Sequence, residues 1–404
     1  MSFICLIYPT LSPFKGDYTK YRAKVQKKFD ICKKSSTFAA NFIETTMTML
    51  TTIFSEAEIQ TAQEFINQSN NVVILTHMSP DGDAMGSSLA MRHFLEGQGK
   101  HVSVIVPNSF PDFLAWLPKA NEDIIYENQH TEADNLLEQA DLVICTDFND
   151  PKRIGSLGDK LLTLSCKKMM IDHHLHPDDF PNLIISYPSS PSTCELVYRL
   201  ITCLIALSPH RLNVSTEIAT CIYTGMMTDT GNFSFNSNYP EMYQIVGELV
   251  ALGVNKDEIY NRVFNSYSAD RMRLMGYCLY QKMKIFPEHH TALIYLSRKE
   301  LYRFNFQSGD AEGIVNLPLQ IKDIHYSCFM REDKVNPTEV ALAGGSKTKI
   351  KISLRSQGNR PVNIFAKEIF GGGGHANASG GEYYGPLPEA VQLFIDNYQQ
   401  YFNL

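Results

Sequence analysis

Three short apolar runs in this chain each end in carboxylates or imidazoles. Val72-Val73-Ile74-Leu75 leads into His77-Met78-Ser79-Pro80-Asp81-Gly82-Asp83, Leu142-Val143-Ile144-Cys145-Thr146 ends at Asp147, and Met169-Met170-Ile171 delivers Asp172-His173-His174. A fourth acid, Asp229, follows a predicted helix in Thr228-Asp229-Thr230-Gly231-Asn232. Short buried strands with acids and histidines at their ends fit an open α/β sheet, in which ligands bind beyond the carboxyl ends of the strands. Each cluster alone has a plainer explanation: Asp-Gly-Asp as a turn, Asp147 or Asp229 as a helix cap, Asp-His-His as a solvated loop. Their joint occurrence, each just after an apolar element, is what points to a shared site.

Carboxylate oxygens mixed with imidazole suit Mn²⁺, Fe²⁺ or Zn²⁺, and the absence of thiolates argues against a structural zinc site. Converging carboxylates repel one another unless cations neutralise them. Two divalent ions roughly 3.5–4 Å apart would do so, and would clamp the attacking and leaving oxygens of a phosphoryl displacement. Asp147 and Asp229 are the candidates to bridge the ions, with His77 and Asp81 on one and Asp83 and His173 on the other. Asp172 is expected to orient its imidazole neighbours, leaving His174 to contact a phosphate or move a proton. A helix is predicted over Met85 to Glu96. Its small Gly86, Ser87 and Ser88 would let its start approach the sheet and an anionic ligand.

The stretch from Thr76 to Ser87, together with Asp147, Asp172-His173-His174 and Asp229 in order, resembles the motifs of the DHH family of phosphoesterases, with Ser79 where Asn is frequent. The resemblance spans most of residues 53 to 245 and implies the two-metal assignment, with Mn²⁺ as the expected ion. Farther on, Gly371-Gly372-Gly373-Gly374-His375 follows a predicted helix, Val362 to Ile369, and a predicted strand, Ile350 to Leu354. Consecutive glycines let backbone N–H groups gather round an anion. His375 could add a donor, and Arg355 offers a planar fork for phosphate. A flexible glycine hinge is the competing account. This segment resembles the substrate-binding domain commonly attached to DHH cores, which implies substrate contacts from Arg355, Gly372, Gly373, Gly374 and His375. A core joined to this domain alone is similar to the group of oligoribonucleases and 3′-phosphoadenosine-5′-phosphate (pAp) phosphatases, and unlike family II pyrophosphatases.

A length of 404 residues suits two or three domains. Residues 53–245 form the larger, mainly parallel α/β domain, 246–284 a helical connector and 285–404 the smaller α/β substrate-binding domain. In the connector, Ile259, Val263, Met272, Met275 and Leu279 are expected to supply the apolar face. An amphipathic helix is expected over Leu387 to Phe402, and the site should lie in a cleft between domains. Residues 1–52 read as an extension, either poorly ordered or the product of an upstream start codon with Met47 or Met49 as the true beginning. No stretch has the length of a membrane span. Nine cysteines without a Cys-x-x-Cys pair read as reduced residues of a cytoplasmic protein.

With 36 Lys plus Arg against 43 Asp plus Glu, the net charge is −7. Binding to long nucleic acid draws chiefly on phosphate neutralisation, yet the conspicuously basic stretch, Lys15 to Lys34, lies outside the core. The expected partner is therefore short single-stranded RNA or a small nucleotide, with no long duplex and no membrane; a homodimer is among the assemblies left open. The expected activity is stepwise release of mononucleotides from short RNA, with dephosphorylation of pAp alongside it. A phosphodiesterase of cyclic di-AMP or linear pApA would use the same core. A catalytically silent nucleotide-binding regulator is the rival from another class, disfavoured because every ligand position is filled.

Overall fold

The computed structural model describes residues 53–208, 212–307, 309–335 and 348–402. The readings of residues 1–52, including the basic Lys15–Lys34 stretch and the alternative starts at Met47 and Met49, lie outside the described residues. Phe54–Leu404 form one compact unit containing two six-stranded sheets.

The first sheet comprises β1 (Asn71–Leu75), β2 (His101–Val106), β3 (Ile124–Ile125), β4 (Leu142–Thr146), β5 (Lys167–Asp172) and β6 (Leu183–Ser186), and every pairing is parallel. Its order is β3-β2-β1-β4-β5-β6. The chain winds outward from β1 to β3, then crosses back to β4 and winds the other way. That reversal opens a crevice at the carboxyl ends of β1 and β4, where open α/β sheets bind ligands. β1, β4 and β5 are buried almost throughout, as strands covered on both faces must be. One face packs Val73, Leu75, Ile105, Val143, Cys145 and Met170 against Leu137, Leu157 and Leu161. Helices Gly82–Glu96, Thr193–Leu207 and Thr216–Asp229 pack together on the other side. The first of these begins three residues before the expected Met85, because the Asp81 carboxylate accepts from the N–H groups of Asp83 and Ala84 at 3.0 and 3.1 Å. A cap at Asp81 moves the helix start into the motif itself.

The second sheet contains β7 (Lys284–Phe286), β8 (Thr291–Leu296), β9 (Tyr326–Lys334), β10 (Thr348–Ser356), β11 (Gly373–His375) and β12 (Ala378–Tyr384), in the order β11-β12-β10-β9-β8-β7. β8 and β9 run parallel and the other neighbours antiparallel. Helices Asn363–Phe370 and Leu387–Tyr401 cover one face through Phe365, Phe370, Phe394 and Tyr398.

The connector departs from the expected pattern. It breaks into helices Lys256–Phe264 and Ala269–Tyr277 and a π turn, Cys278–Lys282. The break at residues 265–268 resets the helical phase, so one 3.6-residue stripe cannot run through both halves. Ile259 and Val263 are buried as expected, but Met272 is 54% exposed and Leu279 38%, and Leu274 and Cys278 take the inward positions.

Candidate metal centre

The strand ends bring the expected residues together at the crevice. β1 leads to His77, β4 to Asp147, and β5 to Asp172, His173 and His174. Asp147 leaves β4 with φ of +63°, a left-handed conformation that aspartate tolerates better than most residues but that still carries strain. Its Oδ2 lies 3.4 Å from His77 Nε2, and its Oδ1 lies 3.6 Å from His173 Nε2 and 3.7 Å from His174 Nδ1. The carboxylate therefore faces two sides of the pocket at once. On one side are His77 and Asp81, whose ligating atoms are 3.9 Å apart. On the other, His173 Nε2 is 3.8 Å from Asp83 Oδ2 and 3.5 Å from Asp229 Oδ2.

Among the described residues four groups of donor atoms are close enough to hold an ion: His77–Asp81–Asp147, Asp83–His173–Asp229, Asp147–Asp172–His174 and His173–His174–His375. Asp229 was expected to bridge, like Asp147. At the end of helix Thr216–Asp229 its carboxylate is grouped with Asp83 and His173, and it also feels the charges of Asp81 and Asp147.

The imidazoles are turned as metal ligands are. His77 Nδ1 lies 2.9 Å from the Met78 carbonyl and His173 Nδ1 lies 3.1 Å from the Ser190 carbonyl, so both Nε2 atoms point at carboxylates. A ring N–H donated to a carbonyl fixes tautomer and orientation and leaves the other nitrogen for a cation. Asp172 is fully buried and accepts from the His174 N–H at 2.9 Å, with its other oxygen 2.7 Å from His174 Nδ1. It orients His174 and not His173, whose ring is held by Ser190.

Like charges crowd the pocket. Burial pushes the Asp83 carboxyl well above its ordinary range, and Asp147 and Asp229 push the same way. Burial likewise raises Asp229, to about 7. Burial opposes protonation of His173, yet Asp229, Asp147 and Asp83 outweigh it and lift its pKa to about 9. Asp147 moves the other way: burial disfavours its charge, but His77, His174 and His173 hold it below the usual carboxylate range. The protein's own relief for this crowding is a proton on an imidazole. Divalent cations would relieve it more completely. The donor set of carboxylate oxygen and imidazole nitrogen fits them.

Two features of the site lay outside the sequence expectations. Helix Thr193–Leu207 points its start at the carboxylates: Thr193 N–H and Cys194 N–H donate to the two oxygens of Asp83 at 2.6 and 2.8 Å, and Thr193 Oγ1 donates to Asp147 at 2.9 Å. Ser192-x-x-Glu195 was readable as a helix start, and the Ser192 side chain does accept from Glu195 N–H, but nothing local reveals that the next residue reaches two ligands. The second is close helix packing. A side chain at Gly225 would place Cβ 2.1 Å from Cys194 Sγ and 2.9 Å from Asp83 Oδ1, so only glycine lets this helix deliver Asp229 beside Asp83.

From the second sheet, His375 reaches the same pocket. Its ring stacks on His174 with centroids 4.5 Å apart and lies 4.6 Å from His173. Burial and the two imidazole charges depress its pKa to about 2, so it is neutral there. The glycines before it do not form a loose hinge. Gly373–His375 is strand β11, paired with Ala378–Gly380 of β12. A Cβ at Gly372 would meet Gly380 O at 1.8 Å, and Gly374 has φ of +135°. The glycines permit a tight hairpin that projects His375. Arg355, near the end of β10, is half-buried; burial lowers its pKa, while Asp229, Glu312 and Asp81 act against that by favouring its charge.

Residues 71–226 match the DHH family, N-terminal domain, and residues 299–404 match the DHHA1 domain. The chain is 28% identical to the bifunctional oligoribonuclease and PAP phosphatase NrnA of Thermus thermophilus, over 80% of this chain and 88% of that protein. The protein of the same name from Bacillus subtilis is 25% identical, over 82% and 95%. An exopolyphosphatase-related protein from Bacteroides fragilis, solved by crystallography, is 46% identical with a TM-score of 0.77, covering 87% of this chain and 98% of that one. The first sheet, with the acids and imidazoles at its reversal point, lies within the first match and His375 within the second: this chain belongs to the DHH family of metal-dependent phosphoesterases.

Proposed function

We propose that this protein removes mononucleotides from short RNA oligomers and also dephosphorylates pAp, using two divalent ions held by His77, Asp81 and Asp147 on one side and Asp83, His173, Asp229 and Asp147 on the other. The observation that carries this reading is His375 seated against His173 and His174. A substrate lying on the metal groups would also meet the second sheet, and Arg355, Gly372, Gly373, Gly374 and His375 would then hold its far end. Such a span suits a few nucleotides better than a long strand. The relatives' names support the substrate class. Mn²⁺ is our assigned ion, on the mixture of hard oxygens with imidazole.

When bound, the ions would supply Lewis-acid charge at the phosphoryl oxygens and lower the pKa of water at the site. The chain's own groups do the rest. Asp172 holds His174 so that its Nε2 can contact a phosphate oxygen or pass a proton to the leaving oxygen. Thr193 and the Cys194 N–H keep the Asp147 and Asp83 carboxylates from rotating. Arg355 and His375 restrain the substrate, which converts a loose encounter into an oriented one.

The test is a Mn²⁺-supported hydrolysis panel with end-labelled RNA of two to ten nucleotides, pAp, linear pApA and cyclic di-AMP, resolving every product. Stepwise mononucleotide release from the oligomers together with phosphate release from pAp is expected. Turnover confined to cyclic di-AMP or pApA would replace the proposal with signalling-nucleotide turnover by the same site. A lack of turnover on all four would point to the silent regulator.

A further inference from the structure

His77 and Asp81 flank a short loop whose conformation is costly. Ser79 has φ of +55°, in the left-handed region that serine seldom adopts, and it precedes Pro80, where extended backbone is preferred. The peptide joining Met78 to Ser79 accounts for that conformation. Its carbonyl lies 2.9 Å from His77 Nδ1 and is the acceptor that fixes the ring. Its N–H donates to Asn108 Oδ1 at 2.7 Å. A trans peptide is planar, with its N–H and C=O pointing in opposite directions, so holding one end aims the other. Asn108, this peptide and His77 thus form one hydrogen-bonded chain, which ends with His77 Nε2 facing Asp147 at 3.4 Å.

The loop is held from both neighbours of β1 in the sheet. After β4, the Arg153 carbonyl accepts from Met78 N–H at 2.8 Å, a tie made of backbone alone. After β2, the tie is a side chain: Asn108 is half-buried, two residues beyond the end of the strand. Turning the Met78–Ser79 peptide over would return Ser79 to negative φ, the state favoured before a proline, and would swing the carbonyl off His77. Local preference therefore works against the observed peptide, and the Asn108 oxygen works for it. Ser79 is exposed, so water would take up its N–H in the absence of Asn108. The bond then contributes direction more than global stability.

Resting on the two-metal reading, we propose that Asn108 is a positioning residue for the ion held by His77, Asp81 and Asp147. By accepting from Ser79 N–H it locks the peptide that orients the His77 imidazole, and so presents Nε2 to the cation. A ligating imidazole needs its other nitrogen held by an outer partner, and here that partner, the Met78 carbonyl, is itself held by a side chain from the neighbouring strand end. Asn108 acts through His77 alone.

The test is a two-site Mn²⁺ titration by calorimetry on the full chain, with the thermal midpoint of the metal-free protein measured alongside. Asn108→Ala should weaken one of the two Mn²⁺ sites by about tenfold, the lower end of the range for losing an outer partner of a ligand. The other site and the metal-free midpoint should stay close to wild type. Asn108→Asp keeps an acceptor oxygen and should bind Mn²⁺ at least as tightly as wild type. Adding Ser79→Asn to Asn108→Ala should recover part of the loss, because asparagine enters the left-handed region more readily than serine. In a His77→Ala background, Asn108→Ala should weaken Mn²⁺ binding no further, since the chain it completes is already cut. Unchanged Mn²⁺ affinity in Asn108→Ala would overturn the inference. So would equal weakening of both sites with a lowered metal-free midpoint, which would make Asn108 a general support of the fold, or a further loss in the His77→Ala background, which would mean a route other than His77. If wild type cleaved neither RNA nor pAp, the proposed function would fail, while the Mn²⁺ titration would still decide the role of Asn108.

Discussion

At the scale of single residues, the site depends on carboxylates that are individually unstable where they stand. Asp83 and Asp229 are both pushed toward their neutral forms by burial, while Asp147 is held ionised by three imidazoles. In the proposed assignment Asp147 serves both ions, so Asp147→Ala should abolish Mn²⁺ binding in titration calorimetry and hydrolysis of every substrate. His173→Ala should lose the second ion, and measuring one bound Mn²⁺ where wild type binds two would show it. Thr193 offers a finer test. Thr193→Val keeps the shape and the backbone donor to Asp83 but deletes the hydroxyl that donates to Asp147. Metal affinity should drop about ten- to hundredfold, the usual effect of losing an outer hydrogen bond to a ligand, with the melting temperature of the metal-free protein little changed. Equal Mn²⁺ affinity in Thr193→Val and wild type would remove Thr193 from the support of the site.

At the scale of elements, the sequence was legible where one physical rule dominated and obscure where two competed. β1, β4 and β5 were plain because fully covered parallel strands must be continuously apolar. The acids and imidazoles after them were legible only together, because each alone could be a turn, a helix cap or a loop, whereas several in a row after apolar runs have no common structural use. The connector was misread at Met272 and Leu279 because a single period was carried across a break that the helix caps at Asn255 and Ser268 already signalled. Those caps predict the energetic contrast. Leu274→Ala should cost about 2–5 kcal/mol in denaturant unfolding, as buried leucines do, whereas Met272→Ala should be near neutral. Thr193 was missed for a different reason: its bonds to Asp83 and Asp147 join residues 110 and 46 positions apart, a relation no local pattern carries. Helix Arg298–Arg303 provides a pH test. Burial of Glu300 favours its neutral form, but bonds from Lys282, Tyr277 and Ser297 win and lower its pKa from 4.5 to about 2. Because the folded pKa is depressed, the stabilisation is complete above pH 4.5 and fades as pH falls toward 2. Glu300→Gln should therefore be less stable than wild type by about 1 kcal/mol at pH 7, after allowance for solvent screening, with the gap narrowing as denaturant unfolding is repeated down to pH 3.

At the scale of the whole molecule, the arrangement makes a claim about how a substrate must enter. The metal groups sit at the reversal point of the first sheet, and His375, projected by a tight hairpin of the second, stacks on His174 and reaches His173. Under the proposed function, a chain lying across the candidate metal groups would meet second-sheet residues, Arg355 and His375 among them. If those residues anchor one terminus, Arg355→Ala should raise the Michaelis constant for short RNA about tenfold or more while changing turnover less, because the contact is made in the ground state and retained in the transition state. On that reading a free end is a requirement and not a preference. A circular single-stranded RNA of the same sequence has no terminus to place against Arg355 and His375, so its bonds should be cut at least a hundredfold more slowly than the first bond of the linear form. The comparison should be run at saturating Mn²⁺ with gel-purified circles, since a nicked contaminant would mimic activity. Equal rates would mean that the substrate passes through the cleft without an anchored end, and the second sheet would then be a surface for binding backbone anywhere along the strand. Slow cutting of circles with rapid stepwise loss from linear oligomers would tie the exonucleolytic mode to the distance between the two sheets, a property of the molecule that neither sheet possesses alone.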